Sequence, residues 1–472
     1  MRVLLSLTVF CFVSLFAGYR ENIDAILGQE NAQVGILVVS LSDGRVVYER
    51  NRHLRFVPAS TAKLFTVAAG LDQLGVDFQF KTEMRMRGKI EGSALSGDLV
   101  LVGGGDPSLK RYHFQEFVEV LKSKNIEVIR GDLIVDAGCY DEIACAPGWM
   151  WDDSPTSWNP PLGGLNIDHS RIVLAVEAGE VGKAPTVRIL NSGEEVTIQN
   201  RAKTIQGKKS EISVERPLSS LGKSVVVEGS VIADEAPRIY KVPAVDPTRH
   251  AAMAFSDELK KQGILLQGRI KFESSPRNTT ALAVQSSASL ADLSKKMLKD
   301  SDNYYADSLF KQLGAKRGQG SWQSGSRQVR NFLQEKLSSQ MEDFVVLDGS
   351  GLSRYNLASP SHFVSLLQWV HDESPYAEEF KAALSIGGVD GTLKKRFDTG
   401  RFRSRIRGKT GTMTGVSSIS GYLVTKDKEL LAFSIIANGF VEKVREWRAR
   451  VEDPIINELI LCPKQRVSLN KI

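Results

Sequence analysis

The chain has 472 residues, too many for one ordinary hydrophobic core, so two or three domains are expected. With 42% apolar and 25% charged residues, its composition is globular and excludes a disordered or fibrous chain. A net charge of +6 gives no sign of a nucleic-acid partner and at most favours weak association with a membrane or a polyanionic cell wall.

Residues 1–18 open with Met1-Arg2, continue as an apolar run over 3–16 and close on Ala17-Gly18. That pattern reads as a secretory signal peptide, and the run is short for a membrane span. An uncleaved N-terminal anchor is the alternative. Export to the periplasm or cell envelope is therefore expected. It would permit a bridge between Cys139 and Cys145, with free thiols the other reading. The six histidines are scattered, without metal-ligand spacing, so a zinc peptidase has no visible ligands.

Residues 34–40 and 46–48 flank Ser42-Asp43-Gly44, which predicts a β-hairpin. Leu64, Val67, Ala68, Leu71 and Leu74 recur at helical spacing, with Ser60 at the start of that helix. Residues 81–273 change texture. Short apolar runs at 99–102, 133–135, 172–176, 225–231 and 264–272 alternate with Gly, Asp, Asn and Pro, which predicts β-rich inserted material. Gly103-Gly104-Gly105 lacks the following Gly-Lys-Ser/Thr of a phosphate loop and reads as a tight turn. Helical spacing returns from Ser289, with helices expected near 325–337, 360–371, 376–384 and 441–461. A hairpin is expected around Lys426-Asp427-Lys428. A sheet built from both chain ends, with helices and a β-rich insert between, is an α+β pattern.

Three short motifs carry the chemistry: Ser60-Thr61-Ala62-Lys63, Ser301-Asp302-Asn303 and Lys409-Thr410-Gly411. A serine hydroxyl needs an adjacent base to attack at neutral pH, and Lys63 lies one helical turn from Ser60 on the same face. To act as that base, Lys63 must be desolvated or sit near positive charge, which Lys409 could supply. Ser301 offers a proton relay and Asn303 an amide for the substrate or the lysine. Gly411 leaves room for close backbone approach on a strand edge, where an extended peptide pairs. Lys409, Thr410 and Thr412 would hold a free carboxylate. Decoys exist: Ser220-Leu221-Gly222-Lys223, Ser157-Trp158-Asn159 and Ser468-Leu469-Asn470. Only the three motifs above stand in order, each in the element its chemistry needs. Arg401, Arg403, Arg405 and Arg407 alternate before Lys409. A strand would align them on one face, either to attract carboxylates or as a solvated edge that resists aggregation.

This triple is shared by β-lactamases and penicillin-binding proteins. The chain closely resembles the low-molecular-mass class C penicillin-binding proteins, the D-alanyl-D-alanine carboxypeptidase/endopeptidase family. Further strings support it: residues 97–107, 148–153, 348–354 and 387–393. The resemblance implies a β-lactamase/transpeptidase-like domain over 21–82 and 284–464, an inserted domain over 83–130 and 238–283, and a nested β-rich domain over 131–237. It implies Ser60 as nucleophile, Lys63 as general base, Ser301 as relay, and Asn303, Lys409, Thr410, Gly411 and Thr412 around the substrate. The backbone N–H groups of Ser60 and Thr412 would form the oxyanion hole. An acidic residue near Asp152-Asp153 would border the cleft. No metal or other cofactor is expected, and the expected partners are peptidoglycan peptides ending in D-Ala-D-Ala, with β-lactams as covalent inhibitors. One departure is Asn166-Ile167-Asp168-His169, where the family usually has a second asparagine. The alternatives are a serine β-lactamase, for which no second deacylating base is visible, and a non-catalytic peptidoglycan-binding protein, which the intact Ser60 and Lys63 argue against.

Overall fold

A computed structural model describes residues 18–150, 160–191, 193, 195–217, 224–337 and 343–464. Nearly all of the expected signal peptide lies outside the described residues, as do Asp152, Asp153 and the decoy strings at Ser157, Ser220 and Ser468. The chain forms two compact units. One comprises Met1–Val76, Leu290–Ala306 and Ser326–Ile472, the other Asp77–Ser289 and Asp307–Gly325.

The first unit is built on a six-stranded antiparallel sheet. Its order is Ser385–Ile386, Ile406–Met413, Val416–Val424, Leu430–Asn438, Gln33–Ser40, Val46–Arg50. The expected hairpins are present, and Gln33–Ser40 pairs with Leu430–Asn438, so both chain ends share one sheet. On one face Ile23 and Leu27 of the helix Tyr19–Leu27 pack with Ile455, Ile456 and Leu459 of the helix Asp453–Leu461. The other face carries the helix Pro360–Asp372. That helix starts where Ser359 accepts from the His362 N–H and Pro360 sets the first turn.

The second unit holds two separate apolar cores. A seven-stranded mixed sheet centred on Lys81–Glu91 and Ala94–Val102 packs against the helices Arg111–Ser123 and Pro247–Lys261. A smaller core around Ile172, Leu174, Val225 and Val227 joins a three-stranded and a four-stranded sheet.

Three expectations need correction. The β-rich reading of 81–273 passed over two helices, although Asp246 and Pro247 cap one of them in the usual way. The final helix is not continuous over 441–461: Val444–Trp447 and Asp453–Leu461 are α-helical, and Arg448–Glu452 is a π turn. The alternating arginines do not share a strand face. Gly400–Phe402 is a 3-10 turn, Ser404 has φ +63°, and the strand begins only at Ile406, because the Arg405 guanidinium folds back onto the carbonyls of Arg401 and Thr425.

Candidate active site

Ser60 lies in a 3-10 turn, Ala59–Ala62, that runs directly into the helix Lys63–Leu74. The turn is fastened from both sides. The hydroxyls of Thr61 and Ser418 both donate to the Pro58 carbonyl, at 2.7 and 2.6 Å. Gly351 sits so close that a Cβ there would fall 2.0 Å from the Ala59 carbonyl oxygen. Ala59 itself has φ +49°, a strained value for a residue with a side chain, and one that locates the serine rigidly.

Lys63 is fully buried. Its Nζ donates to Ser60 Oγ at 2.9 Å, Asn303 Oδ1 at 2.7 Å and the Ser350 carbonyl at 2.6 Å. The first and second sequence motifs therefore meet at one amine. Ser301 and Asn303 bracket the junction between the helices Leu290–Lys299 and Asn303–Ala315, with Ser301 at φ +59° and Asp302 Oδ1 accepting from the Tyr305 N–H at 3.2 Å.

The third motif arrives on the strand Ile406–Met413. Lys409 is buried, and its Nζ donates to Ser301 Oγ at 2.8 Å and the Thr410 carbonyl at 2.7 Å. Burial, and then the charges of Lys63 and Arg448, hold the Lys409 ammonium well below the ordinary lysine range. Residues alternate along the strand, so Lys409 and Gly411 share one face while Thr410 and Thr412 share the other. A Cβ on Gly411 would lie 2.2 Å from Ser418 Oγ, 2.7 Å from the Pro58 carbonyl and 3.0 Å from the Ser60 N. Only glycine lets this strand pass so near the serine's backbone. Thr410 Oγ1 donates to Thr392 Oγ1 at 2.8 Å, and Thr412 Oγ1 accepts from Arg448. The short strand Ser385–Ile386 pairs only with Arg407 and Gly408. Among the described residues, positions 409–413 thus have a strand neighbour on one side only, an edge open to an extended peptide.

All eight residues singled out in the sequence therefore belong to one cluster of contacts. Residues 19–455 match the D-Ala-D-Ala carboxypeptidase 3 (S13) family. The chain belongs to that family. It is 31% identical over 445 residues, 89% of this chain and 81% of the relative, to a D-alanyl-D-alanine carboxypeptidase of Actinomadura sp. (strain R39). The crystal structure of penicillin binding protein 4 (dacB) from Haemophilus influenzae is similar to it with a TM-score of 0.83 and 26% identity, covering 93% of this chain and 99% of that one. The same Haemophilus protein complexed with a novel β-lactam matches with a TM-score of 0.78 and 26% identity over the same shares. The α+β, transpeptidase-like fold follows, and this S13 chain is a serine-type D-Ala-D-Ala carboxypeptidase.

Three groups around the S13 cluster escaped sequence reasoning. The Ser350 carbonyl is aimed at Lys63 by Asp348, whose buried carboxylate accepts from the Gly351 and Ser353 N–H groups at 2.8 and 2.6 Å and from Asn356 Nδ2 at 2.7 Å. Thr392 meets Thr410 across the sheet edge. Arg448 reaches the strand from the far end of the chain. A carbonyl has no side-chain signature. Thr392 and Arg448 lie in ordinary-looking stretches, although the 387–393 string had already marked the family. Cys139 and Cys145 are not joined by a disulfide, and burial pushes the Cys139 thiol up to about 12. Asn166 spends its amide on the backbone of Gly163. Among the described residues no helix is long and apolar enough to cross a membrane.

Proposed function

We propose that Ser60 is the acylated nucleophile of this carboxypeptidase, with Lys63 its base, and that the substrate is a peptidoglycan stem peptide ending in D-Ala-D-Ala. The observation that carries this is the 2.9 Å contact between Lys63 Nζ and Ser60 Oγ. A neutral amine has two N–H donors and one lone pair. With the donors on Asn303 Oδ1 and the Ser350 carbonyl, the lone pair is left for the Ser60 hydroxyl proton. Lys63 and Lys409 repel each other when both are charged, which holds the Lys409 ammonium down.

Ser60 Oγ then bonds to the carbonyl carbon of the penultimate D-alanine as its proton moves to Lys63. The backbone N–H groups of Ser60 and Thr412 receive the developing oxyanion. Ser301, hydrogen-bonded to Lys409, relays that proton from Lys63 to the departing D-alanine amine as the C–N bond breaks, which leaves Lys63 neutral again. Water, deprotonated by Lys63, opens the ester and returns Ser60. Thr410 and Thr412 hold the terminal carboxylate, Lys409 adds electrostatic support, Asn303 meets a substrate amide, and Gly411 keeps the strand edge clear.

Penicillin would acylate the same hydroxyl, its ring carbonyl taking the place of the scissile amide. Cleavage of cross-links as well as termini, export to the periplasm behind residues 1–18, and the division into a catalytic domain (21–82, 284–464), an insert (83–130, 238–283) and a nested domain (131–237) are part of the same reading. The test is labelling of the folded chain with a fluorescent penicillin, followed by peptide mass spectrometry, alongside D-alanine release from a pentapeptide. Wild type is expected to carry one adduct on Ser60 and Ser60→Ala none. An adduct elsewhere, or D-alanine release by Ser60→Ala, overturns the assignment.

A further inference from the structure

Arg448 is a half-buried arginine that no sequence motif and no step above employs. Its Nη2 donates to the Gly411 carbonyl at 2.9 Å and to Thr412 Oγ1, and its Nε donates to Ser417 Oγ at 3.1 Å. It is itself pinned. Glu452 lies 3.9 Å from Arg448 Nε and accepts from Ser417 Oγ at 2.6 Å and from Arg396 Nη2 at 2.7 Å. Burial would raise the Glu452 carboxyl, yet the charges of Arg396 and Arg448 hold it below the usual range. Both Arg448 and Glu452 belong to the π turn that interrupts the C-terminal helix. Such one-turn insertions disturb helical packing and concentrate at functional sites.

The Gly411 carbonyl and the Thr412 N–H are the two ends of one peptide group. A cation hydrogen-bonded to the oxygen draws electron density from the nitrogen and makes its N–H a stronger donor. The same guanidinium holds the Thr412 side chain, so the residue is fixed at two points. We propose that Arg448 is a positioning residue for the acyl-transfer reaction, polarising and fixing the Gly411–Thr412 peptide that supplies one oxyanion donor. The π turn and Glu452 set its aim. This rests on the reading of Ser60 and Thr412 given above.

The experiment compares full-length wild type, Arg448→Ala and Arg448→Lys. Stopped-flow acylation by benzylpenicillin separates binding (Kd) from the acylation step (k2). Infrared difference spectra of the acyl-enzyme, with the ester carbonyl carbon labelled by 13C, read the strength of the oxyanion donors directly. Complete removal of one such donor costs roughly a hundredfold or more, so weakening it in Arg448→Ala is expected to lower k2 about tenfold. The ester carbonyl stretch should also move to higher wavenumber, a shift that a purely structural role would not produce. Arg448→Lys keeps a positive charge beside Glu452 and preserves folding, but cannot span Gly411 and Ser417 together. Its k2 should fall about threefold or more, with a smaller spectral shift. If Arg448→Ala does not fold, Arg448→Lys alone decides. Wild-type k2 and an unmoved carbonyl stretch in a folded variant overturn the role of Arg448 while leaving Ser60 as nucleophile. An adduct on a residue other than Ser60 would instead overturn the reading beneath it.

Discussion

Lys311 in the second unit and Lys409 in the first are both buried to the last atom of the side chain, yet their surroundings differ. Lys311 donates to Asp141 Oδ1 at 2.6 Å and to the Ile143 carbonyl at 2.7 Å, and its ammonium lies 4.9 Å from the Trp322 ring centre. Burial lowers its affinity for a proton and Asp141 raises it again. Among the described residues, Lys409 donates only to neutral oxygens, those of Ser301 and Thr410, and its charged neighbours are Lys63 and Arg448. A buried cation given a carboxylate is settled and structural. A buried cation set among neutral acceptors and other cations is poised to act on whatever negative charge enters.

Replacing Lys409 by methionine should therefore hurt catalysis most and stability least. Its charge faces the site of a substrate carboxylate and a developing oxyanion, so acylation by penicillin is expected to fall by about a thousandfold. Removing an unpaired buried charge should leave the melting temperature unchanged or raised. A clear drop in melting temperature would show that Lys409 is structural after all. His250 offers the neutral counterpart. It is fully buried, and among the described residues neither ring nitrogen has a partner. Burial, and then Arg111 and Arg216, lower it to about 4. Because the folded chain resists protonation that the unfolded chain accepts, stability is complete above about pH 6.5 and is lost as pH falls toward 4, by about 3 kcal/mol in all. Urea unfolding from pH 7 to 4 should show this slope in wild type and a flatter one in His250→Gln; equal slopes would refute it. The smallest effect is expected at Lys311. Lys311→Met leaves Asp141 unpaired but partly exposed, so the loss should be about 2 kcal/mol, with the acylation rate of the folded protein unchanged. A rate loss there would erase the contrast with Lys409.

Much of the site was legible because its chemistry is local and punctuated. Ser60 and Lys63 are one turn apart. Ser301 and Asn303 flank a helix start. Lys409, Thr410, Gly411 and Thr412 follow one another along a strand. What sequence could not supply were contacts made by backbone atoms or by residues distant in the chain: the Ser350 carbonyl, Thr392, and Arg448 with its π turn. The hairpins at Gly44 and Lys428 were readable from turn chemistry, and the joining of both chain ends from the distribution of strands. The helices Arg111–Ser123 and Pro247–Lys261 were passed over because the Gly- and Pro-rich texture around them outweighed the apolar spacing of Phe114, Phe117, Val118 and Leu121 in the first and the Asp246-Pro247 cap of the second. The arginines at 401–407 misled because two-residue alternation alone does not make a strand when the backbone turns at Ser404.

The pairing of Gln33–Ser40 with Leu430–Asn438 also sets a schedule. The serine emerges early in synthesis, whereas the strand that completes its surroundings follows about 350 residues later and Arg448 behind it about 390 residues later. Contacts of such long range close late. A nascent chain is thus chemically silent until its last tenth has been made, and a chain truncated before that point should be inert toward both peptide and antibiotic.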